Sequence, residues 1–100
     1  MKIFLDDTRT PPNGWILCYW PDDVIELMKT KNVTHISLDH DLGHDKITGY
    51  DVLLWLEEKV HYDSNLIIPE ITIHSANPVG RKRMENAIKS IHKKSNYCEL

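Results

Sequence analysis

Apolar residues along this 100-residue chain fall in short runs divided by polar turns, and the runs alternate between two periods. "KIFLDD" opens with Ile3, Phe4 and Leu5 and closes on Asp6 and Asp7, which predicts a short buried strand whose carboxyl end carries the acids. "WILCYW" at 15–20 is rich in aromatic and β-branched residues and is a second strand candidate. "THISLDHD" at 34–41 is a third. "NLIIPEITIHS" at 65–75 reads as a fourth, with Pro69 at its start or at a bulge, because proline cannot donate to a ladder in mid-sheet. The tail "NYCEL" at 96–100 has the make-up of a short last strand.

Between these runs the apolar spacing turns helical. In "PDDVIELMKTK", Pro21 suits a first helical position, Asp22 and Asp23 favour the first turn, and Val24, Leu27 and Met28 share a face. "TGYDVLLWLEEKV" opens with Thr48 and Asp51 at capping-box spacing and carries Val52, Leu53, Leu56 and Val60 as its buried stripe. "NPVGRKRMENAIKSIHKK" has Asn77 as its cap, Pro78 as its first residue, and Met84, Ala87, Ile88 and Ile91 facing inward. Strands alternating with helices predict an α/β domain with a mostly parallel sheet, and ligands of such sheets sit at the carboxyl ends of the strands. We therefore expect the first, third and fourth strands side by side, so that Asp6, Asp39 and His74 converge.

Composition narrows the function. The length suits a single domain spanning 1–100. A net charge of −3 disfavours a DNA-coating role, which needs a basic surface. No apolar run is long enough to span a membrane and no charged-then-apolar leader opens the chain, which predicts a soluble, unexported, cytoplasmic protein. Cys18 and Cys98 stand far apart with no metal-binding spacing, so reduced thiols are expected.

The chemistry concentrates at strand ends. Adjacent carboxylates repel one another and resist burial unless a cation, a proton or a hydrogen-bond donor offsets them. Asp6, Asp7, Asp39 and Asp41 are thus candidate ligands for a divalent ion, Mg²⁺ or Mn²⁺, with no organic cofactor indicated. His40 and His74 are candidates to supply base and acid for phosphoester cleavage, because imidazole can both take up and give a proton, with Asp39 as a third catalytic candidate. "HSANPVGRKR" places Arg81, Lys82 and Arg83 in a helix's first turn, where the macrodipole disfavours cations. An anion held by that helix end, Ser75, Asn77, Arg81 and Arg9 is one explanation, and a solvated basic turn is the plain one. Trp15, Trp20 and Tyr50 could stack a base, although core packing is their expected duty.

These residues resemble the receiver domains of two-component signalling: acids end the first strand, an aspartate ends the third, and Ser75-Ala76 stands where that family carries its hydroxyl residue. More closely, "LDDTR" with "PPNGW", then "SLDHDLG", "TGYDVLLWL" and "IHSANPVGRKRM", resemble in order the cyclic-phosphate processing receiver-like family, a divergent branch associated with nucleotide-based biological conflict. The resemblance implies a flavodoxin-like sheet of four to five strands whose acid pocket is recast for cyclic phosphates. By position, Asp6, Asp7 and Arg9 match the first motif, Asp39, His40 and Asp41 the second, and His74, Ser75 and Asn77 the third. Two departures from ordinary receivers stand out. The first crossover has too few residues for a helix and must be a loop, and "NYCEL" offers no counterpart to the lysine that receivers carry at the end of the fifth strand.

The leading expectation is a phosphodiesterase that opens a cyclic phosphate on a nucleotide or oligonucleotide messenger or at an RNA end. It could work through a metal held by the aspartates or through two histidines alone. A phosphoacceptor module using Asp39 and a cyclic-nucleotide sponge that binds without cutting are the alternatives.

Overall fold

A computed structural model describes residues 1–40, 48–63 and 66–95. In chain order the elements are β1 (Lys2–Leu5), β2 (Trp15–Cys18), α1 (Pro21–Thr30), β3 (His35–Leu38), α2 (Tyr50–Tyr62), β4 (Glu70–Ile73) and α3 (Pro78–Lys94). The strands form one parallel sheet in the order β2-β1-β3-β4, with Leu5, Leu38 and Ile73 level across the three strands that Asp6, Asp39 and His74 follow. The predicted adjacency of the first, third and fourth strands is therefore present.

The order explains where the helices lie. Steps between parallel strands are right-handed, so helices that accompany steps in one direction across a sheet fall on one face. α1 joins β2 to β3 and α2 joins β3 to β4, both in the same direction. The step from β1 to β2 runs the other way, and residues 6–14 make it as a loop, where a helix would have covered the second face. Pro11 and Pro12 stiffen that loop, and Gly14 turns it with a positive φ of 87° that other residues rarely adopt.

Alternation along the strands follows suit. Ile3, Leu5, Ile36 and Leu38 point to the helical side and are buried with Val24 of α1, Val52, Leu53, Leu56 and Val60 of α2, and Met84, Ala87 and Ile91 of α3. Burying each large aliphatic side chain contributes about 1.5–3 kcal/mol, so this one face holds most of the stabilisation. Phe4, Ser37, Thr72 and His74 point the other way. No helix among the described residues packs on that second face.

Local signals act much as their residues suggest. α1 has Pro21 in its first turn, acids Asp22 and Asp23 beside it, and Lys29 near its end. The Asn77 side chain caps α3 by accepting from the Gly80 amide at 3.0 Å. At α2 the Thr48 amide donates to the Asp51 carboxylate at 3.3 Å, which is the carboxylate half of the predicted box; the Thr48 hydroxyl instead accepts from the Tyr50 amide, because Gly49 and not Thr48 directly precedes the helix. Pro69 immediately precedes β4.

Other expectations need correction. β2 ends at Cys18, so Tyr19 and Trp20 lie beyond it, and Trp20 is 49% exposed rather than packed in the core. Trp15 is half-buried on the second face, edge-on to Phe4, and only Tyr50 of the three aromatics packs against the main core. The expected strand at 96–100 and Cys98 lie outside the described residues. Cys18 is a buried free thiol, its pKa pushed up by burial and by the nearby Asp23 charge.

Candidate functional site

Asp6, Asp39 and His74 each follow directly on the last residue of a strand, and each extends the ladder by one bond. The Asp6 amide donates to the Cys18 carbonyl, the Asp39 amide to Leu5, and the His74 amide to Leu38, at 3.1, 3.1 and 2.9 Å. Sheet hydrogen bonding thus holds the three residues in one row before their side chains interact at all. Two residues on from Phe4, Ser37 and Thr72, they also share the face that no described helix covers.

Asp6 is fully buried and anchors the row. Its Oδ1 accepts from the Thr8 and Arg9 amides at 2.9 and 3.1 Å and lies 3.4 Å from the Thr8 hydroxyl, so the carboxylate closes the turn that leaves β1. Its Oδ2 meets His74 Nε2 at 2.9 Å. Burial alone would raise the Asp6 pKa. The two amide hydrogen bonds, the bond from His74 and the attraction of its charge outweigh that, and the net direction is downward.

His74 lies across the sheet face to reach Asp6. Its ring stacks on Phe4 with centroids 4.3 Å apart and planes within 3° of parallel. Beneath the ring's other nitrogen, Ser37 Oγ is 2.7 Å from Nδ1. Both ring nitrogens are therefore engaged, one by a carboxylate and one by a hydroxyl. Ligand atoms of Asp6, Asp39 and His74 all lie within 4.8 Å of one another. This donor set, two carboxylates and an imidazole, fits one divalent ion, and its nitrogen shifts the preference from Mg²⁺ toward Mn²⁺ or another first-row metal.

Cations ring the end of β4. Arg9 donates from its guanidinium to the His74 carbonyl at 2.8 Å, with its Nε 3.8 Å from Asp6 Oδ2. Arg81 folds back from α3 to donate to the Ile73 carbonyl at 2.9 Å and pairs with Glu85 at 3.4 Å. Arg83 stacks over the Tyr50 ring at 4.9 Å. The basic first turn of α3 is thus explained in part by protein acceptors, and Arg9 and Arg81 share neighbouring carbonyls at one corner of the row.

The remaining candidates spread around this row. His40 lies on the α3 side, where the absence of a side chain at Gly80 lets its ring rest on the helix's first turn: a Cβ there would come within 2.7 Å of Nδ1. Gly49 passes close to the Asp39 carbonyl in the same way, and its amide donates to the His40 carbonyl at 3.2 Å. Ser75 is buried, its hydroxyl accepting from the Asn77 amide at 3.1 Å, and Asn77 spends its carboxamide oxygen on the cap. Asp7 is half-buried and stays outside the convergent group, which takes His74 in its place. Asp41 lies outside the described residues.

Ser37 and Phe4 did not stand out in the sequence. A signal for Ser37 existed: it is the one hydroxyl inside "HISL", between Ile36 and Leu38, in a strand otherwise suited to burial. The row, the imidazole laid across it and the guanidiniums at its corner form a polar site at a sheet's carboxyl edge.

The family model described as the cyclic-phosphate processing receiver domain matches residues 1–90, and the chain belongs to that family. The parallel four-strand sheet with three helices agrees with its receiver-like, flavodoxin-type fold. No curated protein and no solved structure matches the chain.

Proposed function

We propose that this cyclic-phosphate processing receiver domain is a phosphodiesterase that opens a cyclic phosphate, borne by a nucleotide or oligonucleotide or ending an RNA. The observation that carries the reading is the convergence of Asp6, Asp39 and His74 within 4.8 Å beside the guanidiniums of Arg9 and Arg81. Asp6, Asp39 and His74 would hold a divalent ion, which supplies charge stabilisation of the phosphate and a more acidic bound water.

The chain's own groups do the rest. Arg9 and Arg81 give one N–H each to the His74 and Ile73 carbonyls and turn Nε to Asp6 and Glu85, and the remaining donors of each rigid fork serve phosphate oxygens. The Ser75 hydroxyl accepts from Asn77 and retains its proton to give to the same anion. Water adds to phosphorus and one ribose P–O bond breaks. Asp39, half-buried where Asp6 is fully enclosed, is the carboxylate to take the water's proton. His40, on the α3 side of the row, donates to the departing ribose oxygen. A cyclic mononucleotide would open to a monophosphate and a cyclic oligonucleotide to a linear chain.

A phosphoacceptor role for Asp39 is the second reading, favoured by its place directly after β3. Both are tested by incubating the protein with cyclic mono-, di- and trinucleotides and a cyclic-phosphate-ended RNA, with and without Mn²⁺, and following products by ³¹P NMR. Ring opening that disappears in Asp39→Ala supports the phosphodiesterase. An intact panel combined with a phosphoryl adduct on Asp39 from acetyl phosphate overturns it, and tight binding without cleavage would mark a sponge.

A further inference from the structure

The Ser37, His74 and Asp6 side chains form a chain of hydrogen bonds with a chemical consequence. A bond from His74 to the Asp6 carboxylate requires the ring proton on Nε2, the nitrogen that points into the acid group. An ion held by Asp6, Asp39 and His74 needs a lone pair at that same nitrogen. The ring proton must then sit on Nδ1 and find an acceptor there. The only hydrogen-bond partner of Nδ1 among the described residues is Ser37 Oγ, 2.7 Å away, and a hydroxyl can either donate or accept.

We propose that Ser37 is a positioning residue that presents His74 to a divalent ion, its hydroxyl donating to Nδ1 when the ion is absent and accepting the Nδ1 proton when it is bound. The proposal rests on the ion site read above. The switch between the two states is a change of tautomer, Nε2–H in the first and Nδ1–H in the second, and it balances without a proton gained or lost as Asp6 exchanges the N–H for the ion. Metal-bound histidines nearly always donate their second nitrogen's proton to a fixed acceptor, which sets the tautomer and the ring plane. Here Phe4 holds the plane by stacking and Ser37 supplies the acceptor.

A nucleophilic role suits Ser37 less. It is only 8% exposed within β3, and it bonds the nitrogen opposite the one that faces the row. A hydroxyl enclosed between a strand and an imidazole has no approach to a phosphate, whereas positioning needs none.

The test measures Mn²⁺ affinity by titration calorimetry for the wild type, Ser37→Ala, Ser37→Thr and Asp39→Ala. Loss of the acceptor is expected to weaken binding about 10–100-fold in Ser37→Ala, while Ser37→Thr, which keeps the hydroxyl, binds within a few-fold of wild type. Ring ¹⁵N shifts of wild-type His74 should move from the Nε2–H to the Nδ1–H pattern when Zn²⁺ is added, a readout that needs no variant to fold. Ser37→Ala binding as tightly as wild type while Asp39→Ala has lost the ion would overturn the role of Ser37 and leave the ion site standing. A His74 ring that keeps its proton on Nε2 with Zn²⁺ bound overturns it as well. A wild type that takes up no ion overturns both, and the cyclic-phosphate panel without metal then decides the activity separately.

Discussion

The two faces of the sheet use the same four strands for different ends. On the helical face, Ile3, Leu5, Ile36 and Leu38 are closed off by three helices, and the Cys18 thiol among them is buried too. On the other face, Phe4 and Ser37 are nearly as buried, yet a stacked imidazole closes them off where the helical face uses aliphatic packing. A helix over that face would have filled the space that His74 crosses on its way to Asp6. The short loop from β1 to β2 thus leaves a platform on which a strand-end histidine can lie flat. Aliphatic packing is concentrated on one side of the sheet and the polar row on the other.

The largest expected effect falls on the polar face alone. On the proposed reading His74→Ala removes an ion ligand and His40→Ala the general acid, and loss of a general acid or base slows reactions by about 10²–10⁴-fold. Each variant should open a cyclic phosphate at least about a hundredfold more slowly while still binding it. If both cleave as fast as wild type, the histidines are ordinary strand-end residues. If affinity falls and turnover does not, they are binding groups.

A change on the helical side should do the reverse. Leu38 is fully buried in β3, one residue before Asp39 and pointing to the opposite face. Leu38→Ala should cost about 2–5 kcal/mol in a denaturant titration, through lost transfer energy and the cavity left behind. The folded fraction should keep a turnover close to wild type, because the Asp39 amide still pairs with Leu5 across the backbone. A folded Leu38→Ala protein with turnover as low as His74→Ala would show that the two faces are not separable.

That separation was only half legible in the sequence. Element order, the buried stripes and the loop in place of a first helix followed from periodicity, caps and spacing, all of which are local. The coincidence of Asp6, Asp39 and His74 followed from the rule for parallel sheets, which is a statement about topology. What escaped was the direction of side chains within the row. Asp7 looked equal to Asp6 in the sequence, but strand parity and the turn closed by Asp6 leave it outside the convergent group. His74 took the place given to a carboxylate because its ring reaches from β4 over β3 to β1, a span that no pattern along the chain reveals. Ser37 went unnoticed for the same reason: its value depends on what lies above it.

The smallest expected effect is the pH-dependent part of the Asp6 contribution, which is read on acidification. Its folded pKa is lowered overall, since the Thr8 and Arg9 amides and His74 outweigh the cost of burial. A carboxylate whose folded pKa lies below its unfolded value adds stability above the unfolded pKa and loses it as pH falls through the folded one. The unfolded chain then binds more protons than the folded chain in that interval, so stability must rise with pH there. Wild-type unfolding free energy, followed by chemical denaturation from about pH 6 downward, should therefore fall once pH drops below about 4, the ordinary range for aspartate. Asp6→Asn cannot titrate at this position and should show a shallower acid limb, starting from a lower plateau because the amide cannot reproduce the charged acceptor at Oδ2. Equal slopes in the two proteins would mean that other carboxylates carry the acid limb and that the hydrogen bonds around Asp6 only cancel its burial.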